Sequence, residues 1–399
     1  MTTQDTFYDL DDIKSQQKKA EFSIQNIDVS IVNSIRRTIQ SHVKNIAFFF
    51  DAKSIENPDI EIIQNDSPLH NEFLSQRLSM IPIHFEKKII DDWNRDHYSF
   101  VIDEKNNSNK FMDITSKHIK VYINDVEYKD RDNIFPPYIT PEKAKDFILI
   151  TKLPPATTKF SPAIKVNLKA SLGSGHQHSC FSPTSLCTYM NKIIEGPDLQ
   201  NAEEKFIDQY LKQYEPASNV VDDKAEKDDE AKAKEMAYLR KQAKLKFNTL
   251  DKQREYYKNT HGEPNKFVFK LESECALLPS ELFSDAIKYL LSRIEKLVSS
   301  NIVVNDLGDN HFEIMIYDES HTVGNLIQAL VYNKFIRENM GEKISFIGYF
   351  VTHPLENTVC MKVTSSLKKD EVLKFFKEEA LEHVEVSLKK LLKEWENVE

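Results

Sequence analysis

Phe22-Ser23-Ile24-Gln25-Asn26-Ile27-Asp28-Val29-Ser30 returns 290 positions later as Phe312-Glu313-Ile314-Met315-Ile316-Tyr317-Asp318-Glu319-Ser320, with Phe, Ile, Asp and Ser at the same spacing. Each copy leads from a strand-like stretch into an amphipathic helix. In the first, Ser30 reads as an N-cap, and Ile31, Ile35, Ile39 and Val43 form one apolar stripe. In the second, Val323, Leu326, Ile327, Leu330 and Val331 do the same, and the helices carry Asn33 and Asn325. A longer stripe closes each half: Leu282, Phe283, Ala286, Ile287, Leu290, Leu291, Ile294, Leu297 and Val298, then Leu373, Phe376, Ala380, Val384, Leu388, Leu391, Leu392 and Trp395. Two strand–helix–strand–helix units, each with an apolar face to cover, predict an α+β fold whose halves pair within one chain. The expected pairing core is Ile35, Ile39, Leu290, Leu291, Leu326, Leu330 and Leu388. Read as a flexible spacer, residues 299–311 span about 20 Å, an effective concentration on the order of millimolar.

Between the halves, Ile46–Phe50, Phe147–Ile150 and Ile164–Leu172 read as strands, and Ile119, Val121 and Ile123 alternate. Residues 68–78 predict a short helix, stopped by Pro82. From 201 to 260 there is no glycine and one proline, Pro216. Residues 222–235 hold seven acidic and four basic side chains, and 240–258 seven basic and two acidic. That stretch reads as a solvated charged helix or linker, or more sharply as a phosphate- or partner-contacting arm. The expected division is 1–45 with 263–300 as one dimerisation domain, 46–194 as a mainly β insert, 195–262 as charged linker or helix, and 301–399 as the second dimerisation domain.

Composition removes several function classes. The chain has 399 residues and only 8 glycines, none before Gly173, where ordinary usage is about 7%. No Gly-x-Gly-x-x-Gly or Gly-Lys-Ser/Thr occurs, so glycine-loop nucleotide enzymes are excluded. The net charge of −10 disfavours a whole-surface nucleic-acid glove but allows a local basic patch. Cysteines 180, 187, 275 and 360 are too scattered for a disulfide framework and fit a reducing, intracellular compartment. The first 14 residues lack the features of a signal peptide, and no apolar run is long enough for a membrane span.

Several motifs resemble the alpha-like assembly subunits of multisubunit DNA-directed RNA polymerases. Asn33-Ser34-Ile35-Arg36-Arg37 resembles that family's Asn-Ala-Leu-Arg-Arg helix. Leu69-His70-Asn71-Glu72-Phe73, continuing through Arg77-Leu78 to Ile81-Pro82-Ile83, resembles its next motif. Gly173, Gly175, His178 and Phe181-Ser182-Pro183 are similar to its Gly-x-Gly-x-x-His-x-x-aromatic-Ser-Pro stretch. These belong to the larger partner, the archaeal D-type polypeptide or the third subunit of eukaryotic polymerase II. His321-Thr322-Val323-Gly324-Asn325-Leu326, Phe346-x-Gly348-Tyr349 and His353-Pro354-Leu355-Glu356 resemble the smaller partner, the archaeal L-type polypeptide or the eleventh eukaryotic subunit. Ser79 stands where the family has glycine, Thr352 where it has proline, and residues 84–165 lack the cysteine cluster of many relatives.

The resemblance implies fused D-type and L-type partners of the kind found in large DNA viruses. The chain would act as a non-catalytic platform for the two largest polymerase subunits and small assembly subunits in host nucleus, cytoplasm or virion. The resemblance implies no cofactor, no metal, no catalytic residue and no sequence-specific DNA contact. The expected docking residues are Arg36, Arg37, Glu72, Arg77, His178, His353 and Glu356; adjacent arginines diverge by about 100° on a helix and cannot both face a core. His353 reads as turn-shaping and the acids of 222–235 as solvated. Gly173, Gly175, Gly324 and Gly348 read as turn or close-packing positions. Two alternatives stay open: an interaction scaffold of another complex, and a metal-dependent hydrolase using His176, His178 and Cys180, which share a face if they lie on a strand.

Overall fold

The computed structural model describes residues 9–16, 18–51, 58–213, 229–353 and 355–398. Its helices are α1 (Val29–Ser41), α2 (Asn71–Ser79), α3 (Lys87–Asp91), α4 (Pro197–Lys212), α5 (Asp229–Thr249), α6 (Pro279–Ser299), α7 (His321–Val331), α8 (Lys369–Phe375) and α9 (Leu381–Val398). With the sheets below they make a mixed α+β protein. Packing divides it into two units. One is built mainly from Phe22–Val29 and Tyr189–Phe269, the other from Ile13–Glu21, Ser30–Thr188 and Lys270–Glu399. Strands Asp9–Gln16, Lys19–Gln25, Lys266–Ser273 and Thr184–Asn191 form a four-stranded sheet in that order.

In the first unit, Phe22 stacks on Phe269 with ring centroids 5.4 Å apart, and Tyr189 meets Phe267 edge-on at 5.8 Å. Phe267 and Phe269 are buried, as alternation along a half-covered strand requires, and Phe22 and Ile24 are buried with Ser23 between them. The charged stretch forms α4 and α5, which pack through Phe206 and Phe247 at 5.5 Å. Pro216 and the acidic residues 222–228 lie outside the described residues.

The second unit holds both helix pairs and the β-rich middle. There, Ile60–Asn65, Ala163–Leu168, Tyr98–Lys105, Lys120–Ile123 and Val126–Tyr128 form a five-stranded antiparallel sheet in that order. Phe48, Phe100 and Phe135 cluster on it, with centroids 5.0 to 6.3 Å apart. Asp59 is buried at 4% exposure and fully engaged. It accepts from Phe49 N at 2.9 Å and Ser171 Oγ at 2.9 Å, and pairs with Arg95 at 2.6 Å.

Near the C-terminus, Val303–Gly308, His311–Tyr317, Thr358–Ser365 and Ile344–Val351 form a second antiparallel four-stranded sheet in that order. Phe312, Ile314 and Ile316 point inward from it, and α7 packs on its last two strands.

Three local expectations are corrected. Helix α1 begins at Val29, so Ser30 lies inside its first turn. The helix expected over 68–78 starts at Asn71, because Asn65 folds the preceding residues into a turn, accepting from Ser67 N at 3.0 Å and donating to Leu69 O at 2.8 Å. The 299–311 spacer is not a flexible tether: Val303–Gly308 is an edge strand, leaving residues 300–302 as the connection to α6. Among the described residues no helix is long and apolar enough to cross a membrane.

Candidate functional site

Helices α6 and α9 form one contact between the halves. The Trp395 indole nitrogen donates to Ser280 O at 3.3 Å, and its ring lies 4.3 Å from that of Phe283. At the opposite end of α6, Lys377 Nζ donates to Ser300 O at 2.5 Å. The start of α6 therefore meets the end of α9, and the two run antiparallel. Leu290, Leu291 and Leu388 are buried, as are Ile35, Ile39, Leu326 and Leu330 on α1 and α7.

Polar contacts set the register of the other pair. Ser34 Oγ donates to Thr322 O at 3.3 Å, and Arg37 Nε donates to Thr322 Oγ1 at 2.8 Å, so α1 is bonded to the first turn of α7. Arg36 folds back on its own helix, with Nε and Nη2 each 3.2 Å from Asn33 Oδ1 and Nη1 2.9 Å from Gln40 Oε1. Adjacent arginines thus diverge, one along α1 and one across the seam. From α6, Arg293 pairs with Glu319 at 2.7 Å and donates to Asp318 O. Glu319 is only 6% exposed; burial raises its carboxyl above the usual range, against the lowering influence of Arg293.

These groups border a cleft of about 400 Å³, lined among others by Arg37, His42, His176, Tyr289, Arg293 and Glu319. His42 stacks on Tyr289 at 4.7 Å and 9°, with His176 5.5 Å away. Burial, then the neighbouring His176, Arg293 and Arg37, lowers the His42 imidazole from 6.5 to about 4.

The loop at 173–181 explains two motif glycines and corrects one expectation. His176 N donates to Ser41 O at 2.7 Å, taking a carbonyl that the end of α1 leaves open. A Cβ on Gly175 would stand 2.0 Å from Gln40 O, so only glycine lets the loop approach; one on Gly173 would meet the Phe181 ring at 2.6 Å. His176, His178 and Cys180 do not share a strand face: the strand ends at Ser174, and Ser179–Phe181 is a 3₁₀ turn. His178 Nδ1 accepts from Cys180 N at 3.2 Å, while burial pushes the Cys180 thiol up to about 12. Among the described residues no three His, Cys, Asp or Glu side chains are grouped to hold a metal. Cys187 is also buried, its thiol likewise pushed up to about 12 by desolvation.

The remaining expected docking residues are dispersed. Glu72 is exposed on the first turn of α2. Arg77, on the last turn, donates to Ile150 O at 2.7 Å and Leu149 O at 2.6 Å, tying α2 to a strand. His353 Nδ1 accepts from Leu355 N at 3.2 Å, and Glu356 accepts from Thr352 Oγ1 at 3.1 Å; Pro354 lies outside the described residues. Sequence reasoning missed Arg293, Glu319, Thr322 as an acceptor, His42 and Asp59. The signal available for Glu319 was an acid beside the repeated Asp318.

Residues 21–294 match the family described as the RNA polymerase Rpb3/Rpb11 dimerisation domain, and residues 311–398 match a second family of the same description. The chain is 26% identical over 314 residues to the DNA-directed RNA polymerases IV and V subunit 3B of Arabidopsis thaliana, covering 72% of this chain and 89% of that protein. It is 25% identical over 294 residues to the DNA-directed RNA polymerase subunit Rpo3 of Methanobrevibacter smithii, covering 72% and 96%. The RPAC1 subunit of RNA polymerases I and III of Saccharomyces cerevisiae is 24% identical over 301 residues, covering 70% and 83%. Both the extent of the first match and the independent match of the second half place this chain, with two such domains in one polypeptide, in the RNA polymerase Rpb3/Rpb11 dimerisation-domain family.

Proposed function

We propose that the chain is a non-catalytic assembly subunit of a multisubunit DNA-directed RNA polymerase, in which the two dimerisation domains pair with each other instead of with a separate partner. The observation that carries this reading is the bonding of α1 to α7, where Ser34 and Arg37 both reach Thr322. Homology to Rpb3-, RPAC1- and Rpo3-type subunits supports the assembly role. The paired halves form the platform on which the two largest subunits dock, with small assembly subunits at the periphery. The chain is a fusion of D-type and L-type partners, as in enzymes of large DNA viruses, and works inside the infected cell. Its domains divide as 1–45 with 263–300, the insert 46–194, the charged 195–262, and 301–399.

Affinity purification of the tagged full chain, followed by mass spectrometry, should recover the two largest polymerase subunits in stoichiometric amount. Recovery of an unrelated complex would favour a scaffold of another kind. Arg36→Glu is the sharper variant: it spares the Arg37–Thr322 bond, so it should keep the fold while losing the second-largest subunit. Normal assembly by Arg36→Glu would remove Arg36 from the docking surface.

A further inference from the structure

Helix α5 carries a charge pattern that pairing of the halves does not use. Residues 240–258 hold seven basic and two acidic side chains in a chain of net charge −10. Between residues 234 and 249, α5 fully buries only Ala243 and Phe247. With 3.6 residues per turn, Lys234, Arg240, Lys241 and Lys244 fall within one sector of about 120°, and between 234 and 249 no acidic residue shares it. Tyr238 and Leu245 flank that sector at 60% and 67% exposure. Lys244 reaches Glu203 on α4 at 3.5 Å, but Arg240 and Lys241 meet no carboxylate among the described residues. Ion pairing among the described residues therefore does not account for these two central cations.

We propose that this face of α5 contacts nucleic-acid backbone without reading sequence. From Lys234 to Lys244 the helix rises about 15 Å. Over that length one nucleic-acid strand presents about four phosphates, within reach of Arg240 and Lys241, which meet no carboxylate among the described residues. The cations are long, exposed side chains whose charge meets phosphate oxygens, so the contact would position rather than specify. The exposed Tyr238 ring beside it offers a stacking surface to an unpaired base. A patch of this sign on an otherwise acidic chain repels no polyanion locally, and it selects one by charge alone.

The test is fluorescence anisotropy of the full-length chain with two labelled probes, a duplex DNA of about 30 base pairs and a single strand of equal length. Both should bind, with affinity falling steeply between about 50 and about 200 mM KCl. The exposed triple variant Lys234→Gln/Arg240→Gln/Lys241→Gln, whose helicity circular dichroism would verify, should bind at least about tenfold more weakly. Its log–log salt slope should be shallower by about 2 to 3, since each lost phosphate contact removes about 0.7 to 0.9. Tyr238→Ala should weaken the single strand more than the duplex. Absence of binding to both probes, or unchanged affinity in the triple variant, overturns the proposal. So does tighter binding of a labelled poly-glutamate, which would identify an acidic protein as the occupant.

Discussion

Glu319 contributes one charge to the junction of two halves, and its burial determines what its removal costs. Its carboxylate meets Arg293 at 2.7 Å with only 5% of the side chain exposed. Glu319→Ala leaves a half-buried guanidinium without that partner and is expected to cost about 3–5 kcal/mol. Arg293→Met/Glu319→Leu removes both charges and should cost clearly less than Arg293→Met and Glu319→Leu added together; chemical denaturation of the unaltered chain, the two single variants and the double variant measures the coupling. Gly175→Ala places a methyl group against Gln40 O and should cost about 1–3 kcal/mol, as overpacking does, in the same assay. His42 gives a pH signature. Its folded pKa is about 4 against 6.5 for the free side chain, so below 6.5 the unfolded chain binds the extra proton. Stability therefore falls as pH drops from 6.5 towards 4. His84, lowered to about 4 by burial and then by Lys18, acts in the same direction. His42→Phe, which keeps a ring against Tyr289, should flatten the decline over that window in thermal melts at stepped pH.

At the scale of elements, periodicity located most of the helices and the architecture, and missed where side chains override it. The stripes on α6 and α9 were visible because every third or fourth residue is apolar and the helices bury those faces. The start of α2 was not, because the Asn65 turn is a side-chain interaction two to four residues away and leaves no periodic trace. The alternation of His176, His178 and Cys180 misled for a related reason: the loop is set by the close approach of Gly175 to α1, a contact between distant segments. The charge pairs of the seam were illegible because Arg293 and Glu319 meet through folding across two halves, although both stood in the sequence. Trp395 is the element-scale test. It closes the α6–α9 contact against Phe283, and Trp395→Ala should cost about 3–5 kcal/mol. If unfolding then separates into two transitions by near- and far-ultraviolet dichroism, the helix pair is what couples the halves.

On the scale of the whole molecule, the repeat at an offset of 290 residues acquires a physical meaning. Subunits that pair as separate chains must find each other at their cellular concentrations; two dimerisation domains in one chain have a fixed one-to-one ratio. The connection between them is itself ordered. Because Val303–Gly308 is part of the second half's own sheet, only residues 300–302 separate that half from α6, and Lys377 bonds to Ser300 within them. The resulting chain presents both dimerisation surfaces to each other, as the proposed intramolecular pairing requires. Native mass spectrometry of the affinity-purified polymerase measures this directly. One copy of this chain per pair of largest subunits is the expected result; two copies, or a separate small dimerisation partner bound to it, would contradict intramolecular pairing.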